Sequence, residues 1–264
     1  MRHVLVIALC TVATTMTFAQ SSKQVFPNAN ASLPFSTAIK ADGLIYVSGT
    51  LGSGGDVKAQ TKQVLDNISA ALKTAGSSLA NAASMTVYLK NQSDFAAMNE
   101  VYREFFPDAP PARATVQSGL AGPEAVVEIT FVASSASRNA IGTPPSGLPL
   151  SPAIRAGRHL FVSGMLGNSP DTAGDVAAQT RATLSRIDAT LRDAGLSRGD
   201  VVDALVYITD AASFGAMNGE YRAFFGTDFP ARATVVTPLV APDGLVEIMV
   251  TAVVPDAGAS GSRA

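Results

Sequence analysis

The chain is poor in the residues that redox, metal and membrane functions usually need. It has one cysteine, two histidines and no tryptophan, and only 15% of its 264 residues are charged. Cys10 belongs to the N-terminal segment described below, so disulfide, thiol and cysteine-ligated metal chemistry are excluded for the rest of the chain. No apolar run of 18 or more residues follows that segment, which argues against a transmembrane transporter or channel.

What the chain has in quantity is apolar side chains, at 47% of the residues. A composition this apolar and this weakly charged is typical of a folded protein with a large core and argues against disorder. The net charge is −2 and the isoelectric point is about 5.7. The chain therefore has no excess of basic side chains that could bind a phosphate backbone, and nucleic acid is not expected as a partner.

The first 19 residues differ from the rest and predict a cleaved secretory signal. Arg2 and His3 form a short basic start, and residues 4–13 form an apolar run too short to span a bilayer. Thr17 and Ala19 offer small side chains at the two positions that a signal peptidase inspects, for cleavage after Ala19. The alternative is a buried N-terminal strand, which would need neither the basic residues at its start nor the small residues before the cleavage site. The prediction is a periplasmic or secreted protein, with no membrane partner after cleavage and no cysteine in the mature chain.

The rest of the chain consists of two repeats of one sequence pattern. The segments that begin at Asp56, Ala97 and Pro111 recur at Asp175, Ala216 and Pro230, in each case 119 residues later. A period of this length indicates a duplicated domain, because solenoid repeats are much shorter. The predicted organisation is a signal at 1–19, a first domain at 23–134, a linker at 135–147, a second domain at 148–254 and a disordered tail at 255–264.

Within one repeat the hydrophobic periods predict the element order ββαβαββ. Asp56 is expected to cap the first helix and Gly76 to end it, and an Ala-Asp-Gly turn at 41–43 indicates a hairpin. This order predicts an α+β domain of two layers, a mostly antiparallel sheet with both helices on one face, whose opposite face another chain or domain must cover. The predicted strands are 35–40, 44–48, 84–89, 113–118 and 125–133, and the second helix is 94–106.

Two charged residues interrupt apolar strands in each repeat. They are Arg113 and Glu128, and their copies are Arg232 and Glu247. If a hairpin joins the last two strands of a repeat, Glu128 lies opposite Thr115 and its neighbour, and Arg113 lies on the same face. The pair then converges on one small site. A satisfied ion pair at a domain interface explains the same residues equally well, and duplication does not decide between the two.

An arginine and a glutamate without metal or cysteine allow a limited chemistry. A guanidinium binds a carboxylate bidentately, and a carboxylate beside it can position a water for attack on carbon. Two further features recur in both repeats. Ser-Gly pairs follow the second strand, where they suit either a ligand or an ordinary turn, and an asparagine lies in the second helix, where it is equally ordinary. These weaker candidates are Ser48, Gly49, Ser163, Gly164, Asn99 and Asn218.

The motif Pro-Ala-Arg-Ala-Thr-Val at 111–116 and 230–235, each followed by Val-Glu-Ile, resembles the signature of the RidA/YjgF family of reactive intermediate deaminases, formerly called L-PSP endoribonucleases. The resemblance implies two chorismate-mutase-like domains and clefts between neighbouring domains. It further implies that Arg113 and Arg232 bind a substrate carboxylate while Glu128 and Glu247 position water. Thr115 and Thr234 stand where the family has a cysteine, and Phe35 and Leu150 stand where it usually has a tyrosine.

The resulting expectation is hydrolysis of enamine or imine acids of the 2-aminoacrylate type to 2-oxo acids and ammonia, without a cofactor or a metal. The alternative is a catalytically weak module that binds small carboxylates, and a ribonuclease role is a distant third. Rings of three domains, as the resemblance implies, require chains in multiples of three. A monomer would instead need its two repeats to bury their sheets on each other.

Overall fold

The computed structural model describes residues 23–255. The predicted signal at 1–19 and all but the first residue of the predicted tail lie outside this range. Among the described residues no helix is both long and apolar enough to cross a membrane.

The first repeat folds in the predicted order ββαβαββ, preceded by one additional short strand. The boundaries differ from the predicted ones by a few residues, except that the third strand runs through the Ser48-Gly49 pair. The elements are β1 Gln24–Phe26, β2 Ala38–Ala41, β3 Leu44–Leu51, α1 Val57–Thr74, β4 Ala82–Leu89, α2 Phe95–Phe105, β5 Ala112–Gln117 and β6 Val127–Ser134.

The second repeat has the same order. Its first strand, β7, lies inside the segment predicted as the linker, residues 135–147, and pairs antiparallel with β8. Part of the linker therefore belongs to the second sheet. The elements are β7 Arg138–Ile141, β8 Ala153–Ala156, β9 His159–Leu166, α3 Val176–Asp193, β10 Val201–Ile208, α4 Phe214–Phe225, β11 Ala231–Val236 and β12 Val246–Val253.

The local signals in the sequence act as predicted. The Asp56 side chain accepts a hydrogen bond from the Ala59 backbone and caps α1. Gly76 follows the helix with φ of 77°, a conformation that favours glycine. Asp42 and Gly43 both have positive φ, and they join β2 to β3 as a two-residue hairpin loop.

The order of strands differs from the prediction at one point that matters for the site. In the first sheet the order is β1-β2-β3-β6-β4-β5, and the second sheet repeats it. The predicted hairpin between β5 and β6 is therefore wrong, because β4 lies between them. Helix α2 is a crossover that returns β5 parallel to β4, so β6 must pair on the other side of β4.

Both helices of each repeat cover one face of its sheet, as predicted. In the first repeat Leu65 and Ile68 of α1 and Met98 of α2 are fully buried against Val87 and Ile129 of the sheet. The second repeat has the equivalent core. Two separate hydrophobic cores explain why the duplicated sequence forms two domains.

The two domains pack on each other through the β5 flank of the first, where β5 is the edge strand of its sheet, and a face of the second sheet around β8 and β9. Strand β5 of the first repeat lies against β9 of the second. The backbone of Ser151 donates to Pro111 O at 3.3 Å, and the backbone of Gln117 donates to Pro238 O at 3.1 Å. Phe161 of β9 belongs to the same buried cluster as Ala112 of β5. Within one chain, the second repeat thus covers the β5 flank of the first, and the first repeat covers the face of the second sheet at β9.

Candidate functional site

Arg113 lies close enough to the glutamate of the other repeat for their charges to interact. Strand β4 separates β5 from β6, so Glu128 lies opposite Tyr88 and Leu51, and not opposite Thr115 as predicted. Arg113 instead lies on the flank that contacts the second repeat, where its charge acts on Glu247. The predicted pairing within one repeat is wrong, and the combined site contains one residue from each repeat.

Three residues of α2, namely Phe95, Asn99 and Tyr102, form a cage around the Arg113 guanidinium. The side chain is 1% exposed, and its Nη1 donates to Asn99 Oδ1 at 2.8 Å. Its Cζ lies 4.5 Å from the ring centre of Tyr102 and 5.7 Å from that of Phe95. Burial lowers the pKa of Arg113, and the nearby Tyr102 and Glu247 oppose the shift. A guanidinium stays charged in proteins, so the cage fixes a buried positive charge.

Glu247 lies on the other side of the interface and is 2% exposed. Burial raises its pKa to about 8, while Arg113 and a hydrogen bond from the Thr115 backbone oppose the rise. Desolvation therefore outweighs the attraction of the arginine. At neutral pH Glu247 is largely a neutral carboxylic acid, which can donate a proton.

The Ser-Gly pairs do not end strands, as the sequence suggested, but lie inside β3 and β9 at register shifts. A Cβ on Gly164 would lie 1.9 Å from Glu247 Oε1, and one on Gly49 would lie 2.3 Å from Glu128 Oε1. A side chain at either position would displace the carboxyl group that rests against this backbone, so glycine allows the glutamate of each repeat to keep its place.

Ser163 holds the two repeats together beside the site. Its Oγ donates to Ser151 O at 2.6 Å and accepts from the Arg113 backbone at 2.9 Å. The equivalent Ser48 donates to Ser36 O at 2.6 Å, within the first repeat alone. The Ser163 side chain thus positions the strand that carries Arg113.

Several buried polar atoms of the combined site have no hydrogen-bond partner among the described residues: Nε of Arg113, Oγ1 of Thr115 and Oε2 of Glu247. Arg113 and Glu247 also form no direct ion pair within this part of the chain. Buried polar groups are normally satisfied, so unsatisfied atoms on both Arg113 and Glu247 indicate a site for a polar ligand.

The remaining predicted residues form two open half-sites. Arg232 and Asn218 line an open cavity of about 290 Å³ in the second repeat, and Oγ1 of Thr234 has no partner there. Glu128 is half-buried on the first repeat, and burial raises its pKa. The structure therefore brings together one Arg–Glu pair and leaves the other pair apart.

Two pairs of tyrosines lie beside the arginines and glutamates of the two repeats, although the sequence pattern did not single them out as functional. Tyr88 and Tyr102 recur as Tyr207 and Tyr221 at the same spacing of 119, and this was the available signal. The helical spacing of Tyr102 predicts a core residue, which it is, but its ring also supports Arg113. Tyr207 lies opposite Glu247 in the sheet, and burial, together with Tyr88 and Glu247, raises its pKa.

Neither the site nor any other part of residues 23–255 contains a cluster of three or more His, Cys, Asp or Glu side chains that could hold a metal ion. The combined site offers a guanidinium, a neutral carboxylic acid and nearby hydroxyl groups. This set can bind an acid and exchange a proton with it.

Both repeats match the model of a known family. The family model described as Endoribonuclease L-PSP matches residues 26–135 and 141–254. The chain belongs to this family, also known as YjgF or RidA, and the predicted fold class, two tandem α+β domains of this family's type, is confirmed.

Individual relatives match one repeat or both. The RutC family protein PH0854 of Pyrococcus horikoshii is 42% identical over 108 residues, which cover 38% of this chain and 86% of that protein. The solved structure of NMB1025, a YjgF family member from Neisseria meningitidis, is 35% identical and covers 46% of this chain and 98% of its own, with a TM-score of 0.41. A chorismatase structure covers 82% of this chain and 77% of its own, with a TM-score of 0.65 at 18% identity, and thus shares the fold of both repeats.

Proposed function

We propose that the protein hydrolyses reactive enamine and imine acids of the 2-aminoacrylate type to 2-oxo acids and ammonia, without a cofactor. The observation that carries this proposal is the buried Arg113 beside a buried, protonatable Glu247, with unsatisfied polar atoms on both. Membership of the RidA family supports the same reaction class.

The proposed reaction follows from the charges of the two groups. Arg113 binds the carboxylate of the substrate through its free Nε–H edge, while Asn99 and Tyr102 hold the guanidinium in place. Neutral Glu247 gives its proton to the nitrogen of an imine or to the β-carbon of an enamine, and water attacks the resulting iminium carbon. The Glu247 carboxylate then takes a proton from that water, and the carbinolamine releases ammonia and leaves the 2-oxo acid.

Ammonia release from imines generated in situ by an amino acid oxidase tests the proposal. The unsubstituted protein is compared with Arg113→Gln, Arg232→Gln and the double variant, each checked for folding by circular dichroism. We expect Arg113→Gln to remove most of the protein's acceleration of ammonia release. The single variant Arg232→Gln shows how much a second site contributes to that rate. An unchanged rate in the folded double variant would contradict the proposal. Ligand binding without turnover would favour the alternative, a small-carboxylate-binding module.

We further propose that the open half-sites are completed by other copies of the chain, so that Arg232 of one copy pairs with Glu128 of the next and three chains close a ring of six domains. Val235 and Val236 of β11 are 42% and 54% exposed, whereas Val116, the equivalent of Val235, is 1% exposed against the second repeat. Apolar strands left open in this way favour further association. Light scattering on the mature protein across a concentration series should give a trimer, and a stable monomer or dimer would refute this stoichiometry.

Export is proposed from the N-terminal pattern alone. Arg2, the apolar run at 4–13 and Ala19 are the features that support a cleaved signal. Intact-mass measurement of exported material should show a chain that begins at Gln20. A mature protein that retains Met1 would contradict the proposal.

A further inference from the structure

The cavity of the second repeat differs from its counterpart in the first. It has a volume of about 290 Å³ and lies between α4 and the start of β11. Two arginines reach it, Arg232 from the strand and Arg222 from the helix. Its lining residues are Asn218, Tyr221, Arg222, Phe229, Pro230 and Arg232.

Aromatic rings support both guanidinium groups. The Cζ of Arg232 lies 4.6 Å from the ring centre of Tyr221, and the Cζ of Arg222 lies 5.7 Å from that of Phe229. Stacking of this kind covers the flat faces of a guanidinium and leaves the N–H edges available. Within residues 23–255 neither group makes an ion pair, and Arg232 makes a weak hydrogen bond to Met217 Sδ at 3.9 Å.

The equivalent arginines of the first repeat are already bonded. Arg113 donates to Asn99, and Arg103, the equivalent of Arg222, donates to Gly147 O at 2.6 Å. The two repeats also diverge in sequence at this point. Pro110 of the first repeat is replaced by Phe229, the ring that supports Arg222. The second repeat therefore has a second cation available beside its carboxylate-binding arginine.

No carboxylate lines the cavity. Three acidic residues lie near the lining in space or in sequence: Asp203, whose charge acts on Tyr221, Asp228, which precedes Phe229, and Glu220, which is paired with Arg181. Within residues 23–255 none of them forms an ion pair with the two arginines. Two uncompensated guanidinium groups in one cavity attract two negative charges. A cavity of this volume is at the low end for ligand sites, so the ligand must be small.

We propose that this cavity binds a small dicarboxylate, one carboxylate on Arg232 and the other on Arg222. The inference rests on the carboxylate binding proposed for Arg232 but not on hydrolysis at the Arg113–Glu247 site. Arg222 thereby determines specificity, since it distinguishes a dianionic acid from a monoanionic one of similar length.

Calorimetric titration with succinate and with butyrate tests the inference, because the two acids have the same chain length and differ by one charge. In the unsubstituted protein succinate should bind about tenfold or more tightly than butyrate, as expected for one additional charge-assisted pair. Arg222→Gln should reduce this ratio to about twofold or less while butyrate affinity changes little. The matched control is Arg103→Gln, which makes the same change of charge on the other repeat and should keep the ratio.

Arg232→Gln should weaken binding of both acids, which assigns the measured heat to this cavity. Equal affinities for succinate and butyrate, or an Arg222→Gln variant that keeps the ratio, would overturn the inference. Arg222→Gln could instead lower the mass of the assembly measured by light scattering while the ratio of succinate to butyrate affinity stays the same. In that case Arg222 is a contact between copies of the chain, and the inference also fails. Ammonia release is measured separately, so none of these outcomes depends on the proposed hydrolysis.

Discussion

Glu247→Gln is expected to lower kcat by about 10²-fold or more with little change in KM. The glutamine amide keeps the shape of the side chain against Gly164 but can neither give nor take the proton that the proposed reaction moves. Arg113 is untouched by the change, so the carboxylate of the substrate still binds. Steady-state ammonia release over a range of imine concentrations separates kcat from KM.

The matched control is Glu128→Gln, the same replacement at the equivalent position. Glu128 faces no arginine within the described part of its own chain, so any effect of this variant depends on contact with another copy. We expect its effect to be small in dilute protein and to grow with association, whereas Glu247→Gln has its full effect at every concentration. A large rise in KM at unchanged kcat for Glu247→Gln would show that this carboxyl group only helps to bind substrate.

The fold could be read from the sequence because its signals are local or repeated. Asp56 and Gly76 fix the ends of α1, the Asp42-Gly43 turn fixes one hairpin, and the spacing of 119 fixes the duplication. Each of these features involves neighbours along the chain or a comparison of the chain with itself. Such information needs no knowledge of how distant strands pair.

The site could be predicted from the sequence only in part, because the strand order decides which glutamate lies near which arginine. Arg113 and Glu128 are near each other in sequence, and a β5–β6 hairpin satisfies the alternation of apolar side chains as well as the observed order does. Nothing local shows that β4 lies between them. The sequence therefore indicates the residue types of the site but not their pairing, since the arginine meets the glutamate of the other repeat.

Duplication also concealed a difference between the repeats. Identical motifs predict two equivalent sites, yet Arg113 is 1% exposed while Arg232 lines an open cavity. The difference arises because the second repeat covers the β5 flank of the first, whereas β11, its equivalent, ends the sheet uncovered. Two copies of one sequence thus acquire different surroundings from their place in the chain.

The stability of the protein is expected to fall as the pH rises from about 5 to about 8. The pKa of Glu247 is about 8 in the folded protein, against 4.5 for the ordinary side chain. Between these values the unfolded chain has released the proton and the folded protein has kept it, so rising pH favours unfolding. Below about 4.5 both states are protonated, and above about 8 both are ionised, so the loss is confined to this window.

Glu247→Gln isolates this contribution, because the amide is uncharged in both states at every pH. Near pH 5 the variant and the unsubstituted protein should unfold at similar temperatures. Near pH 8 the variant should be the more stable of the two by several kcal/mol, or a Tm higher by about 5 °C or more. Scanning calorimetry at half-unit steps of pH measures this gap, with Glu128→Gln as the control whose gap should be smaller because that side chain is only partly buried. A Tm difference that stays constant across the window would show that Glu247 is ionised in the folded protein, and with it the proposed proton donation to the imine would fail.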